Sequence, residues 1–192
     1  MGSIYLFRHG ETEWAKKGKH TGHTDIPLTL NGEHQAQSLM NAINTVSPNH
    51  IFSSPLIRAL DTCKICGYDP IIEKDLIEWN YGEYEGLTKS EIQLSVPNWD
   101  IFTHGAKNGE TLAEIKIRAE RFISKISDLD GNIFIFSSGH ILRSITALWL
   151  SLPLNSARNL PLSTASISIL GLVSQYKSLL KWNITPWSEL KY

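Results

Sequence analysis

The sequence predicts an α/β domain in three layers, a mostly parallel sheet with helices on both faces. Three observations point there. Short apolar runs of strand-forming residues alternate with segments of helical period along the chain, the pattern of α/β architecture. Ile133-Phe134-Ile135-Phe136 is apolar at every position, so it reads as a central strand covered on both sides. Ile4-Tyr5-Leu6-Phe7 is a second apolar run, and it leads straight into Arg8-His9-Gly10-Glu11-Thr12. Ligands of open α/β sheets sit beyond the carboxyl ends of strands, so those polar residues stand where a site belongs.

The other elements follow in order. A polar loop over Glu11 to Leu28 ends at Thr29, which can cap a helix with Ala36, Leu39, Met40 and Ile43 on one face. Ile51-Phe52-Ser53 reads as a strand, followed by a helix that Pro55 opens. Ile71-Ile72 is a weak third strand, and Glu73 to Gly86, rich in aromatics and carboxylates, is an irregular loop. A short helix is expected from Thr88. Thr111 and Glu114 have capping-box spacing, and Leu112, Ile115, Ala119, Phe122, Ile126 and Leu129 then form one apolar stripe until Asp130-Gly131. After the strand over 133–136, Ser137 to Gly139 turns into a helix from Ile141 to Leu150, stopped by Pro153. Late strands near Ser166 to Leu172 and Leu179 to Trp182 complete the sheet. No repeat or long linker interrupts the pattern, so 1–192 reads as a single domain.

Composition narrows the function. The chain is 42% hydrophobic and 19% charged with a formal net charge of -1. It lacks the basic field that nucleic-acid binding requires. Its longest apolar stretches, such as Ile145 to Leu150, are too short to span a bilayer, and no signal segment precedes the first strand. The two cysteines, Cys63 and Cys66, fit a reducing compartment, and their place inside a predicted helix argues against a redox motif. The expectation is a soluble cytoplasmic protein that binds neither nucleic acid nor membrane. Homodimerisation through an edge strand is compatible with this architecture. The basic cluster Lys16-Lys17-Gly18-Lys19 reads as a solvated loop, or as a cationic rim that attracts anions. Trp149, Trp182 and Trp187 read as packing residues, and Asn108-Gly109-Glu110 as a turn.

The chemistry converges on phosphate. Arg8 offers a fork of donors to phosphate oxygens. A neutral His9 nitrogen can attack phosphorus and form a covalent intermediate, and Gly10 permits close approach of backbone to a ligand. Arg58, in Ser53-Ser54-Pro55-Leu56-Ile57-Arg58-Ala59, stands at the start of a helix after a strand, a place that favours anions. The run Leu76-Ile77-Glu78-Trp79-Asn80-Tyr81-Gly82-Glu83-Tyr84-Glu85-Gly86-Leu87 sets carboxylates among aromatics. Such surroundings can hold a carboxyl protonated near neutral pH, as a general acid requires.

Taken with Thr21-Gly22, Asp25, Asn108-Gly109-Glu110-Thr111 and the late strand-turn-helix Phe136 to Arg143, these segments resemble the histidine phosphatase superfamily, the phosphoglycerate mutase-like fold, over nearly the whole chain. Glu11 to Trp14, His20-Thr21-Gly22 and Glu78 to Gly86 most resemble its sedoheptulose-1,7-bisphosphatase type. The resemblance implies His9 as nucleophile and Arg8 and Arg58 as neutralisers of the phosphoryl oxygens. It implies Glu78 as proton donor, with Glu83 and Glu85 as nearby rivals. Positions in contact with phosphate or substrate would be Gly10, Glu11, Thr21, Gly22, Tyr81, Lys89, Ser138, Gly139 and His140. It implies no metal and no cofactor. The substrate would be a small phosphorylated metabolite of the sugar phosphate class, hydrolysed rather than mutated, since Pro97 to Lys107 lacks the mutases' arginine pair.

One departure stands out. The family places a phosphate-donating histidine where this chain has Ser138, with His140 two residues on. Three accounts fit: His140 reaches the phosphate, the chain is a weakened enzyme or a phosphate-ester binder, or Ser138 is an introduced substitution. A protein–protein scaffold that kept the fold is the rival from another class.

Overall fold

Alternation of side chains along two central strands divides the core. Ile4 and Leu6, with Ile133 and Ile135, pack into one apolar cluster, whereas Phe7, with Phe134 and Phe136, packs into another. Successive strand residues face opposite sides, so a run that is apolar throughout must be covered on both. The computed structural model describes residues 2–186; Trp187 lies outside them. Among the described residues the strands are β1 (Ile4–Arg8), β2 (His50–Ser53), β3 (Ile71–Ile72), β4 (Ile133–Ser137), β5 (Ile167–Val173) and β6 (Tyr176–Ile184). The α-helices are α1 (Glu13–Lys16), α2 (Leu30–Ile43), α3 (Ile57–Ile65), α4 (Lys89–Ser95), α5 (Ile101–His104), α6 (Leu112–Ser127) and α7 (Gly139–Trp149).

The sheet order is β3-β2-β4-β1-β5-β6. Its first four strands run parallel, β5 runs antiparallel to β1, and β6 runs antiparallel to β5. Leu39 and Ile43 of α2 and Cys63 of α3 cover one face; Ile115, Ala119 and Phe122 of α6 and Ile141 and Ile145 of α7 cover the other. The expected three layers are therefore present. Thr29 and Thr111 cap α2 and α6, and Thr111 and Thr88 each close a full capping box. Pro55 lies two residues before α3, with Leu56 as its N-cap. Helices α1 and α5, and 3-10 turns at Lys74–Leu76, Gly82–Tyr84 and Leu154–Asn159, escaped the sequence pattern because pieces this short carry too little period to register.

Register positions the site. Arg8 pairs with Ser137 across β1 and β4, and His9 N–H donates to the Ser137 carbonyl at 2.9 Å. The two strands thus end level, and His9 comes out beside Ser138. The loop after β1 is wedged against the first turn of α2: a Cβ on Gly32 would stand 2.1 Å from the Glu11 carbonyl, and one on Gly10 2.3 Å from the Gly32 carbonyl. Gly32→Ala is expected to cost roughly 2–3 kcal/mol in urea unfolding, because backbone, not a flexible tip, must move.

Cys63 and Cys66 are buried and unlinked. Burial pushes the Cys66 thiol up to about 12 and raises Cys63 as well, which leaves both as inert packing groups. Trp149 is buried and Trp182 packs against the core. Among the described residues no helix is long and apolar enough to cross a membrane.

Candidate active site

A cavity of about 180 Å³ opens at the carboxyl ends of β1 and β4, lined by Arg8, His9, Thr21, Glu78, Tyr81, Gly139 and His140 from the sequence-predicted set. It is also lined by Ala15, Gly18, Lys19, His20, Arg143 and Leu162.

His9 is 4% exposed, and its Nδ1 lies 2.7 Å from the carbonyl of its neighbour Gly10. A carbonyl only accepts, so Nδ1 carries the proton and Nε2 keeps its lone pair. Burial, then Arg58 and Arg8, hold the ring's pKa well below the ordinary histidine value. The imidazole is therefore neutral at pH 7, as a nucleophile at phosphorus needs. Arg8 donates from one terminal nitrogen to the Leu162 carbonyl, while its buried Nε has no partner among the described residues. A buried guanidinium N–H left open beside a neutral imidazole is a place prepared for an anion.

Glu78, 3% exposed, reverses an expectation. Its Oε1 accepts the N–H groups of Trp79 at 2.8 Å and Ile141 at 2.9 Å, and its Oε2 accepts that of His140 at 2.8 Å. Burial works to raise the carboxyl's pKa, but the His140 ring when it is protonated, with the backbone N–H groups of His140 and Trp79, outweighs it and holds the group well below the carboxylate range. In the unliganded protein Glu78 is thus an ionised cap on the N-terminus of α7, not the protonated acid its aromatic neighbours imply. The rivals stand elsewhere. Glu83 pairs with Lys107 at 2.8 Å on the surface, and Glu85 accepts the N–H groups of Gly22 at 2.7 Å and Thr24 at 3.1 Å, which shapes the loop.

Arg58 also departs from expectation. It is fully buried and stands behind the cavity wall rather than among its lining residues. Its terminal nitrogens donate to the carbonyls of Thr21, Gly22 and Thr24 at 2.8–3.1 Å, and its Nε to Ser138 Oγ at 3.3 Å. Its charge still bears on His9 and Glu78. Gly10 packs under α2 and donates to Thr62 Oγ1 at 3.0 Å. Glu11 accepts Thr29 Oγ1 at 2.9 Å, and Gly22 is taken up by Glu85 and Arg58. Lys89 points to solvent and pairs with Asp100 at 3.6 Å. Ser138, 1% exposed, sits at the N-cap of α7. None of these five lines the cavity.

Three cavity residues, Lys19, Arg143 and His20, lie outside the site set predicted from the sequence. Lys19 has no carboxylate partner among the described residues and lies over Trp14 at 5.9 Å. Arg143 stacks on Phe102 at 4.7 Å and donates to the Ala157 carbonyl at 3.0 Å. His20, with Nδ1 2.9 Å from the Leu87 carbonyl, is pushed by burial down to about 4. The basic run at 16–19 signalled the first; Arg143 lies one helical turn past Gly139, a spacing that could have signalled the second.

These shifts set the acid behaviour. Histidines kept neutral by burial make the unfolded chain the better proton acceptor, so their stability is complete above pH 6.5 and drains as pH falls toward 4. A depressed carboxyl contributes above its ordinary value of 4.5 and is lost as pH falls through its folded value. The urea midpoint is expected to be flat above pH 7 and to fall below 6.5. His20→Asn should flatten the upper limb, and Glu78→Gln the part below 4.5.

Comparison with known proteins agrees with the geometry. Residues 4–185 match the model of the histidine phosphatase superfamily, branch 1. The chain is 35% identical to an acid phosphatase of Mycobacterium tuberculosis over 95% of its length and 92% of the relative's. It is 34% identical to sedoheptulose 1,7-bisphosphatase of Saccharomyces cerevisiae over 77% of this chain and 67% of that one. The solved structure of an open reading frame product of Mycobacterium tuberculosis superposes with a TM-score of 0.93 at 34% identity, covering 96% of this chain and 98% of that one. With residues 4–185 matched by the family model and relatives at 34–35% identity, the chain belongs to the histidine phosphatase superfamily, branch 1, as a phosphoric monoester hydrolase.

Proposed function

We propose that the protein hydrolyses phosphate monoesters of small hydroxylated metabolites, sugar phosphates above all, through a phosphohistidine at His9. The observation that carries this reading is His9 itself: a neutral imidazole, its proton committed to the Gly10 carbonyl, lining a cavity beside the unpartnered Nε of Arg8. The Nε2 lone pair attacks phosphorus, the P–O bond to the alcohol breaks, and Arg8 offsets the charge on the phosphoryl oxygens. Arg58 acts from behind the wall through its charge and through Ser138.

Glu78 has a part that begins with binding. A phosphate dianion beside a carboxylate raises the carboxyl's pKa by like-charge repulsion, so Glu78 takes up a proton as substrate arrives. It gives that proton to the leaving alkoxide. The regenerated carboxylate then takes one from the water that attacks the phosphohistidine, and phosphate leaves with His9 neutral again. Beyond the phosphoryl position, Lys19 and Arg143 add positive charge, while Thr21 and His20 offer polar atoms to hydroxyl groups.

The relatives support this reading, one being named an acid phosphatase and another a sugar bisphosphatase. The test is phosphate release from a panel of sugar phosphates without added metal. Turnover that vanishes when all divalent ions are chelated would sink the metal-free mechanism. Ser138 favours one second reading, a binder with little turnover; that protein would gain thermal stability from sugar phosphates yet release no phosphate.

A further inference from the structure

Ser138 and His140 differ in what they can offer a phosphoryl group. Ser138 is buried, and its Oγ already accepts from Arg58. His140, two residues on, lines the same cavity as Arg8 and His9. Its ring is held on several sides. Nδ1 meets Tyr81 Oη at 2.5 Å, the His20 ring lies nearly parallel at 6.0 Å, and Phe102 lies at 5.4 Å. The backbone N–H is anchored on Glu78 Oε2 at 2.8 Å. The remaining ring nitrogen, Nε2, has no partner among the described residues and is not walled in.

Two groups meet Nδ1, Tyr81 Oη and Glu78 Oε2, the latter at 3.7 Å and outside hydrogen-bond reach, so Tyr81 decides which nitrogen carries the proton. It is 1% exposed, and among the described residues the partner of its hydroxyl is His140 Nδ1. Burial, with Glu78 and Glu85 nearby, raises the phenol's pKa, so the O–H stays intact. A buried O–H needs an acceptor. Tyr81 therefore donates, Nδ1 accepts, and the proton of neutral His140 stands on Nε2. His9 and His20 are set the opposite way, since the Gly10 and Leu87 carbonyls keep the proton on Nδ1. Three imidazoles thus line one cavity, two as acceptors and one as a donor.

We propose that His140 Nε2–H is the second nitrogen donor to the transferred phosphoryl group, in the place where Ser138 is too short to serve, and that Tyr81 is the positioning residue that fixes its tautomer. No proton moves; the N–H meets charge that grows on the phosphoryl oxygens in the transition state. The assignment rests on the phosphohistidine reading for its catalytic meaning, but not for its tautomer.

Long-range proton–nitrogen spectra of the labelled protein, assigned with His140→Asn, test it directly. The expected result is His140 protonated at Nε2 and His9 and His20 at Nδ1. Saturating inorganic phosphate should shift the His140 Nε2 resonance, and Tyr81→Phe should turn the His140 signal into a mixture of tautomers. With p-nitrophenyl phosphate, His140→Ala is expected to lower kcat about a hundredfold, and His140→Asn, which keeps an N–H, to recover about tenfold of it. Ser138→His should rescue His140→Ala while raising wild-type kcat less than about threefold, since a donor is already present. An Nδ1–H tautomer at His140, an Nε2 resonance indifferent to bound phosphate, or His140→Ala turning over at the wild-type rate overturns the proposal. A wild type that binds phosphate at His140 Nε2–H but shows no His9-dependent turnover removes the hydrolysis reading and leaves the donor assignment standing.

Discussion

His9→Ala is expected to lower phosphate release by roughly 10⁴-fold or more, the largest effect of any substitution in this chain, because it removes the atom that the proposed phosphohistidine mechanism bonds to phosphorus. Its effect on folding should be small and of the opposite sign in acid. The wild-type ring is a buried neutral histidine that the unfolded chain protonates more readily, and alanine removes that liability. The substituted protein should therefore lose nearly all activity while its urea midpoint falls less as pH drops below 6.5. The chemical signature is a phosphorylated intermediate. Glu78→Gln lacks the group that activates the hydrolytic water, so it should accumulate acid-labile label from a radioactive phosphate ester, and the pair His9→Ala with Glu78→Gln should accumulate none. Label that survives His9→Ala would place the nucleophile elsewhere.

Arg58→Met should give the largest loss of stability, about 3–5 kcal/mol. The methionine keeps an apolar stem of similar length but leaves the carbonyls of Thr21, Gly22 and Thr24 without the donors they have in the fold. Each buried acceptor left unpaired costs about 1–3 kcal/mol. Relief from burying a cation offsets part of this, though only part, because Glu78 and Asp25 stabilise the charge where it stands. Activity should fall as well, since Thr21 lines the cavity and its loop would lose its anchor. Arg8→Met provides the contrast. Arg8 donates to one carbonyl and keeps Nε open, so it should lose affinity for phosphate far more than stability. If the two substitutions cost the same in urea, the division of labour between the arginines is wrong.

Much of the fold was readable because it is written in local pattern. The period of Leu112 to Leu129, the capping spacing of Thr111 and Glu114, and the unbroken apolar run at Ile133 each involve neighbours within a few turns of chain. Strand ends were readable for the same reason, so His9 and Arg8 were found where they stand. The tautomer of His9 is local too, fixed by the carbonyl of the next residue.

Arg58, Lys89 and Glu78 show where such reading stops. Both cations have a phosphate-site motif around them, yet one is turned inward onto carbonyls 34 to 37 residues away and the other outward to Asp100. The charge state of Glu78 depends on N–H groups 62 and 63 residues distant, on a helix that docks against its loop. Composition around a carboxyl measures desolvation, which raises its pKa; it does not count the donors that lower it.

By itself the sequence determined the family, the three-layer architecture and the strand ends that present Arg8 and His9, since each is a matter of residue type and short-range spacing. The tertiary structure decided which arginine lines the cavity, which carboxyl is ionised, that Lys19, His20 and Arg143 share the cavity, and which groups meet the His140 ring. Those outcomes turn on hydrogen-bond partners brought together from distant parts of the chain, and a buried polar group takes its charge and direction from the partners it meets.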